Sequence, residues 1–330
     1  MAVSRGIMEM LRGIFLSIIR FFIENLGILI AFFVLCMFLT FNPITSGSFP
    51  TSHNVFNVLR QVSTNLFIAC GMTMVIVLGG IDLSVGSTVA LSGVITAGAV
   101  VRHGAPIPLA IVIGLCVGVL VGAFNGAIIS MTTIPPFIVT LATMKSVRGF
   151  AYVYTGGSPV RVVTSEWQFI GAGRVGAVPV PVIILVFILL ITAIIMYKTK
   201  LGRHIYAVGG NAQAAKFSGI SVVKVKFLVY TYSGLMAGLA GVVLASRMFS
   251  GQPTAGDGAE LDAIAAVVVG GTSMSGGIGR IGGTIIGGLI IGVLNNGLNL
   301  LGVSSFWQHV VKGIVILLAV FIDYFRSKRK

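Results

Sequence analysis

Acidic side chains are nearly missing from this chain: eight Asp and Glu stand among 330 residues, and all charged residues together make up 9%. Soluble domains run near a quarter charged, so this scarcity excludes a water-dissolved enzyme or binding module. Cysteine is equally sparse. Cys36, Cys70 and Cys116 all lie inside apolar runs, an odd count at positions that suit small buried hydrophobes and exclude a disulfide framework. The four histidines, His53, His103, His204 and His309, have no ligand spacing to one another. There is no Gly-x-Ser-x-Gly elbow and no His-Glu-x-x-His, so hydrolase chemistry finds no footing. Lys never follows Gly, which removes any Walker A loop, and an ATP-driven process therefore needs a partner subunit.

What is present is apolar: 56% of residues are hydrophobic and the mean hydropathy is +1.05. The formal net charge of +14 does not mark a nucleic-acid binder. Its Lys and Arg collect in short loops and at the two ends, without the interleaved aromatics that single-strand binders stack on. Apolar stretches fall at 22–41, 62–79, 82–101, 107–131, 135–154, 179–197, 224–247, 258–273, 281–302 and 308–325. No alternating ten-residue barrel strands occur, so the expected fold is all-α: a polytopic integral membrane protein of about ten transmembrane or half-membrane helices. The eighth stretch, interrupted by polar residues and glycine, is expected to be a re-entrant or half-span.

Ten crossings put both termini on one side of the membrane. Placing that side in the cytoplasm puts 14 of the 22 Lys and Arg inside, with Arg60, Arg102, Arg161, Arg174 and Arg247 outside. Residues 1–21 alternate apolar and basic positions and suit an interfacial helix; residues 22–325 form one membrane domain; residues 326–330 form a basic tail. Trp167 and Trp307 are expected in the aromatic belts. Gly118-x3-Gly122-x2-Asn125 matches the spacing of Gly288-x3-Gly292-x2-Asn295, which suggests an internal repeat of the kind transporters use.

Three polar islands interrupt the apolar background. Gly79-Gly-Ile-Asp82-Leu-Ser84 breaks a continuous apolar region; Asp82 either caps the next helix or marks a pathway, since an ionisable group at membrane depth is costly. Asp257, Glu260 and Asp262 hold three of the eight acidic residues. They fit an external entrance to a hydroxyl-binding path, and equally the capping of a helix or pairing with Arg247 or Lys312. The run Gly270–Arg280, which includes Thr272, reads as a hinge. Lys145, Arg148 and Lys312 are the remaining charges inside spans. The loop 198–223 is the most prominent island. Its basic residues, with Lys224 and Lys226 just beyond, number six and include no acid, which marks a docking surface for a cytoplasmic partner.

At these residues the chain resembles the permease subunits of bacterial sugar ABC importers, and within them the ribose, xylose, arabinose and galactoside permeases, with ribose nearest. The resemblance runs from Asn54 to Asp323. It includes Gly80-Ile-Asp-Leu-Ser-Val-Gly-Ser87, Pro136-Phe-Ile-Val-Thr-Leu-Ala-Thr-Met144, Gly209-Gly-Asn-Ala-Gln-Ala-Ala215, the run Glu260–Thr272, and Asn295-Asn-Gly-Leu-Asn-Leu-Leu-Gly302. It implies a transport subunit in the bacterial inner membrane that is not itself an enzyme and binds no cofactor. ATP and Mg would sit on a separate cytoplasmic ABC ATPase. The other implied partners are a periplasmic or lipid-anchored sugar-binding protein, a second permease copy forming a homodimer, and the lipid bilayer. It also implies that Gly209, Gly210, Asn211, Ala212, Gln213, Ala214, Ala215, Lys216 and Gly219 form the ATPase-coupling segment, with a short helix from Ala212 to Ser218. Asp82, Ser84, Glu260, Asp262, Thr272 and Asn295 are the residues expected to form the translocation path or its hinges. An ion-coupled secondary transporter is the alternative, in which Asp82 or Asp262 would bind the ion. A membrane enzyme acting on lipid-linked sugars is the third reading.

Overall fold

The computed structural model describes residues 25–327, so the expected interfacial helix at 1–21 and most of the 326–330 tail lie outside the described residues. Thirteen helices make up about three quarters of the described residues. They are α1 Leu26–Phe41, α2 Ser52–Val77, α3 Val85–His103, α4 Ile107–Met131 and α5 Pro136–Thr155. After these come α6 Ser165–Ala172, α7 Val180–Lys198, α8 Lys200–Gly210 and α9 Ala212–Phe217. The last four are α10 Val222–Arg247, α11 Ala259–Val269, α12 Ile281–Leu300 and α13 Ser305–Ser327. Six of them (α2, α3, α4, α7, α10 and α12) are long and apolar enough to cross a membrane. The protein is an all-α, multi-pass membrane protein. Short two-residue pairings are the only strands among the described residues: Val160–Arg161 with Ser250–Gly251, and Arg174–Val175 with Val178–Pro179.

Local chemistry sets the helix ends. The Thr51 hydroxyl accepts the Asn54 amide at 3.3 Å to open α2, and the Ser221 hydroxyl accepts the Lys224 amide at 3.4 Å to open α10. Gly104 and Gly156 close α3 and α5 in the left-handed conformation, at φ 62° each. Helix α11 has eleven residues and spans about 16 Å at 1.5 Å per residue, half of a bilayer core.

At the centre stands α10, packed on α2, α3 and α4. Small residues let these backbones touch: a methyl on Gly118 would lie 2.3 Å from the Gly234 carbonyl oxygen, and one on Gly241 would lie 2.4 Å from that of Val89. Contact pairs fix the helix directions. Gly118 meets Gly234 and Gly126 meets Phe227, so α4 opposes α10; Thr73 meets Thr284 and Leu66 meets Gly288, so α12 opposes α2. The four-helix run α2–α5 is thus repeated by α10–α13 in the opposite sense, as in inverted-repeat transporters. Helix α3 and the short α11 start beside each other inside the bundle, where a methyl on Gly86 would strike the Gly256 carbonyl and the Glu260 carboxylate.

Two sequence expectations change. The stretch 198–223, read as a loop carrying one short helix at Ala212–Ser218, holds that helix as α9, Ala212–Phe217, and adds a second, α8, before it. Trp167, expected in an aromatic belt, is fully buried beneath the far end of α10, because α6 folds back over the bundle; Trp307 is exposed.

Candidate functional site

The six basic residues of the 198–226 region gather at one end of the bundle. Helix α8 is amphipathic: Gly202, Ile205 and Val208 face the core and Lys200 is exposed. It begins at Thr199, whose hydroxyl accepts the Gly202 amide at 3.2 Å. Its last turn presses on the membrane domain. A methyl on Gly209 would lie 1.8 Å from the Val77 carbonyl oxygen at the end of α2, and that oxygen accepts the Gly277 amide at 2.8 Å. The Tyr206 hydroxyl donates to the Gly279 carbonyl at 2.8 Å. Burial, then the neighbouring Tyr197, raises the Tyr206 phenol well above its ordinary value and keeps it a neutral donor. The run Gly270–Arg280, expected to act as a hinge, touches the end of α2 through Gly277 and the last turns of α8 through Gly279.

From this base α9 projects. The Asn211 carboxamide accepts the Ala214 amide at 2.9 Å and caps it, and Gly219 at φ 82° turns the chain into α10. Gly210, Ala212, Gln213, Ala214 and Lys216 are solvent-facing or half so, whereas Ala215 is buried against the core. Phe217, not singled out in the sequence, is 91% exposed at the tip. Its position one residue after Lys216, at the end of a polar run, was the available signal.

Asp82 and Ser84 lie elsewhere, at the break between α2 and α3, and are each 1% exposed. One Asp82 carboxylate oxygen accepts the Ser84 amide at 3.0 Å and the Ser84 hydroxyl at 2.6 Å; the other accepts the Ser233 hydroxyl at 2.9 Å. The Asn125 amide donates to Ser84 Oγ at 2.8 Å, and the Thr143 hydroxyl donates to Asn125 Oδ1 at 2.7 Å. This knot ties α4, α5 and α10 to the break. Both carboxylate oxygens are engaged, so Asp82 works as the hub of a packed joint, and neither residue lines a described cavity.

Asp262 and Asn295 do come together. They line a polar cavity of about 410 Å³ bounded by α2, α10, α11, α12 and α13. Lys312 Nζ donates to Asp262 Oδ2 at 2.9 Å. The cavity lies at the α10 end formed by Leu244–Met248, opposite α9, which precedes the start of that helix. Glu260 stands apart, against Gly86 and around a smaller pocket with Lys145, Arg148 and Asp257. Arg148 Nη1 donates to the Pro253 and Ala255 carbonyls, 2.7 Å each, which secures the crossover before α11. Thr272 is fully buried in the Gly270–Arg280 run, against Gly279. A separate apolar cavity, about 800 Å³ between α3, α4 and α5, is walled by side chains such as Leu91, Phe124, Ile138 and Phe150 and suits acyl chains, not hydroxyls.

Comparison with known proteins follows the same residues. The ribose import permease protein of Bacillus subtilis (strain 168) is 50% identical over 306 residues, covering 92% of this chain and 94% of that protein. That of Escherichia coli (strain K12) is 50% identical over 282 residues, covering 84% and 88%. The xylose transport system permease protein of Escherichia coli (strain K12) is 36% identical over 357 residues, covering 90% and 91%. No solved structure matches the chain significantly. Residues 54–320, which run from the first turn of α2 into α13, match the family described as branched-chain amino acid transport system / permease component, and the chain belongs to that family.

Proposed function

We propose that this chain is the membrane-spanning subunit of an ATP-binding-cassette importer for a monosaccharide, ribose first among the candidates. The single observation that carries the reading is half-identity to ribose import permeases across nearly the full length of both chains. The surrounding machine is part of the proposal: a cytoplasmic ATPase that holds ATP and Mg, an external sugar-binding protein, and a second copy of this chain. The basic end of the bundle faces the cytoplasm of a bacterial inner membrane, with both termini on that side. The alternative of ion coupling loses ground, because Asp82 already accepts three hydrogen bonds and Asp262 is paired with Lys312.

In this reading α9 is the coupling element, with Ala212, Gln213, Lys216 and Phe217 offered to the ATPase. Closure of the ATPases pushes on α9. Because α8 is seated on Val77 and Gly277, the push reaches the end of α2 and the start of α12 without slack. The Asp82 knot holds α3, α4, α5 and α10 together while they tilt. The decisive experiment is uptake of labelled ribose into proteoliposomes with and without the ATPase, the binding protein and internal ATP. Uptake by the full assembly alone is expected. Uptake by the isolated chain that collapses with an uncoupler would overturn the proposal.

A further inference from the structure

The polar cavity has features of a built ligand site. Asn295 Oδ1 and Thr64 Oγ1 border it, both residues are 5% exposed, and neither atom has a hydrogen-bond partner. Leaving two such groups dry costs about 1–3 kcal/mol each, so the cavity is organised to hold something that hydrogen-bonds. Four further amide side chains line it: Gln61, Asn65, Asn299 and Gln308. Its charges balance, with Arg247 and Lys312 against Asp257 and Asp262, and one cation and one anion already satisfy each other. The lining itself thus carries no net charge, with Arg60 standing near Arg247 outside it. Amides, hydroxyls and a bridged ion pair instead supply alternating donors and acceptors, the complement of a neutral polyol. The volume equals that of about a dozen waters, enough for the roughly ten heavy atoms of a pentose with a few waters around it.

We propose that this cavity, inside a single copy of the chain, is a low-affinity binding site for one neutral monosaccharide. Thr64 and Asn295 form its floor, and the Lys312–Asp262 pair forms one wall. The exposed residues Asn299 and Asp257 mark its mouth. It lies at the end of α10 opposite α9, about 37 Å away along that helix at 1.5 Å per residue. Sugar binding stands on the chemistry of the cavity; its role as the first stop of imported cargo rests on the importer reading.

The test uses the full chain in nanodiscs, with no ATPase, binding protein or transport. Asn65→Cys places a thiol in the cavity wall, and a small charged thiosulfonate labels it, read at residue 65 by peptide mass spectrometry. Ribose is expected to slow labelling about threefold once it reaches twice its dissociation constant. Raffinose, too large for the cavity, and lactate, an anion, are expected to leave the rate unchanged. Asn295→Leu is expected to keep the thiol reactive and abolish protection by ribose. The proposal is overturned by equal labelling rates up to about 0.1 M ribose, by equal protection from raffinose or lactate, or by a thiol that never reacts. Full protection surviving Asn295→Leu would also overturn the assigned floor. Failure here leaves the uptake experiment untouched, and failure of uptake leaves this result standing.

Discussion

Two adjacent glycines at the end of α8 have opposite surroundings, which allows a sharp test of how force would pass from α9 into the bundle. A methyl on Gly209 would sit 1.8 Å from the Val77 carbonyl oxygen and 2.8 Å from the Gly277 amide nitrogen, whereas one on Gly210 would meet nothing within 4 Å. Real carbon contacts stay beyond about 3.0 Å, so Gly209→Ala must push α8 away from α2 by more than about 1 Å. That displacement breaks into the seat where Gly277 donates to Val77 at 2.8 Å. Overpacking costs about 1–3 kcal/mol and the disturbed buried hydrogen bond about 1–3 kcal/mol more. Gly210→Ala incurs neither cost and gains up to about 1 kcal/mol of helix propensity. Both variants are expected to insert in the membrane. ATP-driven ribose uptake by the reconstituted assembly is expected to fall at least about tenfold for Gly209→Ala, a loss of about 1.4 kcal/mol or more of coupling, and to stay near wild type for Gly210→Ala. Equal uptake by the two variants would refute the idea that the α8 seat carries the stroke.

Other parts of the molecule give independent tests. Phe217→Ala removes the most exposed aromatic tip of α9 and is expected to weaken binding of the ATPase about thirtyfold, the scale of an aromatic hot spot, with the chain's own unfolding midpoint unchanged; unchanged affinity would exclude Phe217 from the docking face. Ala215→Arg acts differently, because Ala215 is buried: it is expected to lower the unfolding midpoint as well, so a variant with normal stability and lost coupling would contradict the packing. Asp82→Leu strips acceptors from Ser84 and Ser233 and is expected to cost about 2–5 kcal/mol, read as a lower thermal midpoint of the purified chain. Lys312→Met leaves Asp262 unpaired; since both side chains are partly exposed, a loss of about 1–3 kcal/mol is expected, recovered in part by adding Asp262→Asn. Strict additivity of those two changes would show that the pair contributes nothing.

The fold class was legible because hydropathy registers lipid contact directly, and each of the ten apolar stretches coincides with a helix. The short eighth stretch is a helix of half length, as its polar interruptions suggested. Helix α2 was legible only in its inner part. Its first ten residues, Ser52–Gln61, are polar enough to look like loop; only Asn54 and Val58 among them are buried, and Gln61 walls the cavity. The 198–223 stretch hid helix α8 for a related reason: it is held by close backbone contacts at Gly202 and Gly209 that composition does not register. Trp167 was misplaced because interfacial enrichment describes lipid-facing tryptophans, and this one is covered by α10 and α6. Of the residues expected on the path, Asp262 and Asn295 share a cavity while Asp82 and Ser84 share a joint. Both are polar islands in an apolar chain, and only the presence or absence of unpartnered atoms tells them apart.

The matching spacing Gly118-x3-Gly122-x2-Asn125 and Gly288-x3-Gly292-x2-Asn295 shows that difference within one pattern. Both sets lie on helices that occupy equivalent places in the inverted halves, α4 and α12, and in both the glycines let a neighbouring helix approach. Gly118 and Gly122 meet glycines and carbonyls of α10, so the helices touch backbone to backbone and Asn125 is drawn into the Asp82 knot with both ends of its amide occupied. Gly288 and Gly292 meet Leu66 and Val62 of α2, whose side chains hold the backbones further apart. The extra width at that level leaves Asn295 Oδ1 without a partner and leaves room for the cavity beside it. One half of the repeat closes into a joint and the other stays open. The bulk of the residue facing each glycine sets which: a side chain at Gly234 would meet the Gly118 carbonyl oxygen at 2.2 Å, so the joint side closes only because glycine faces glycine there.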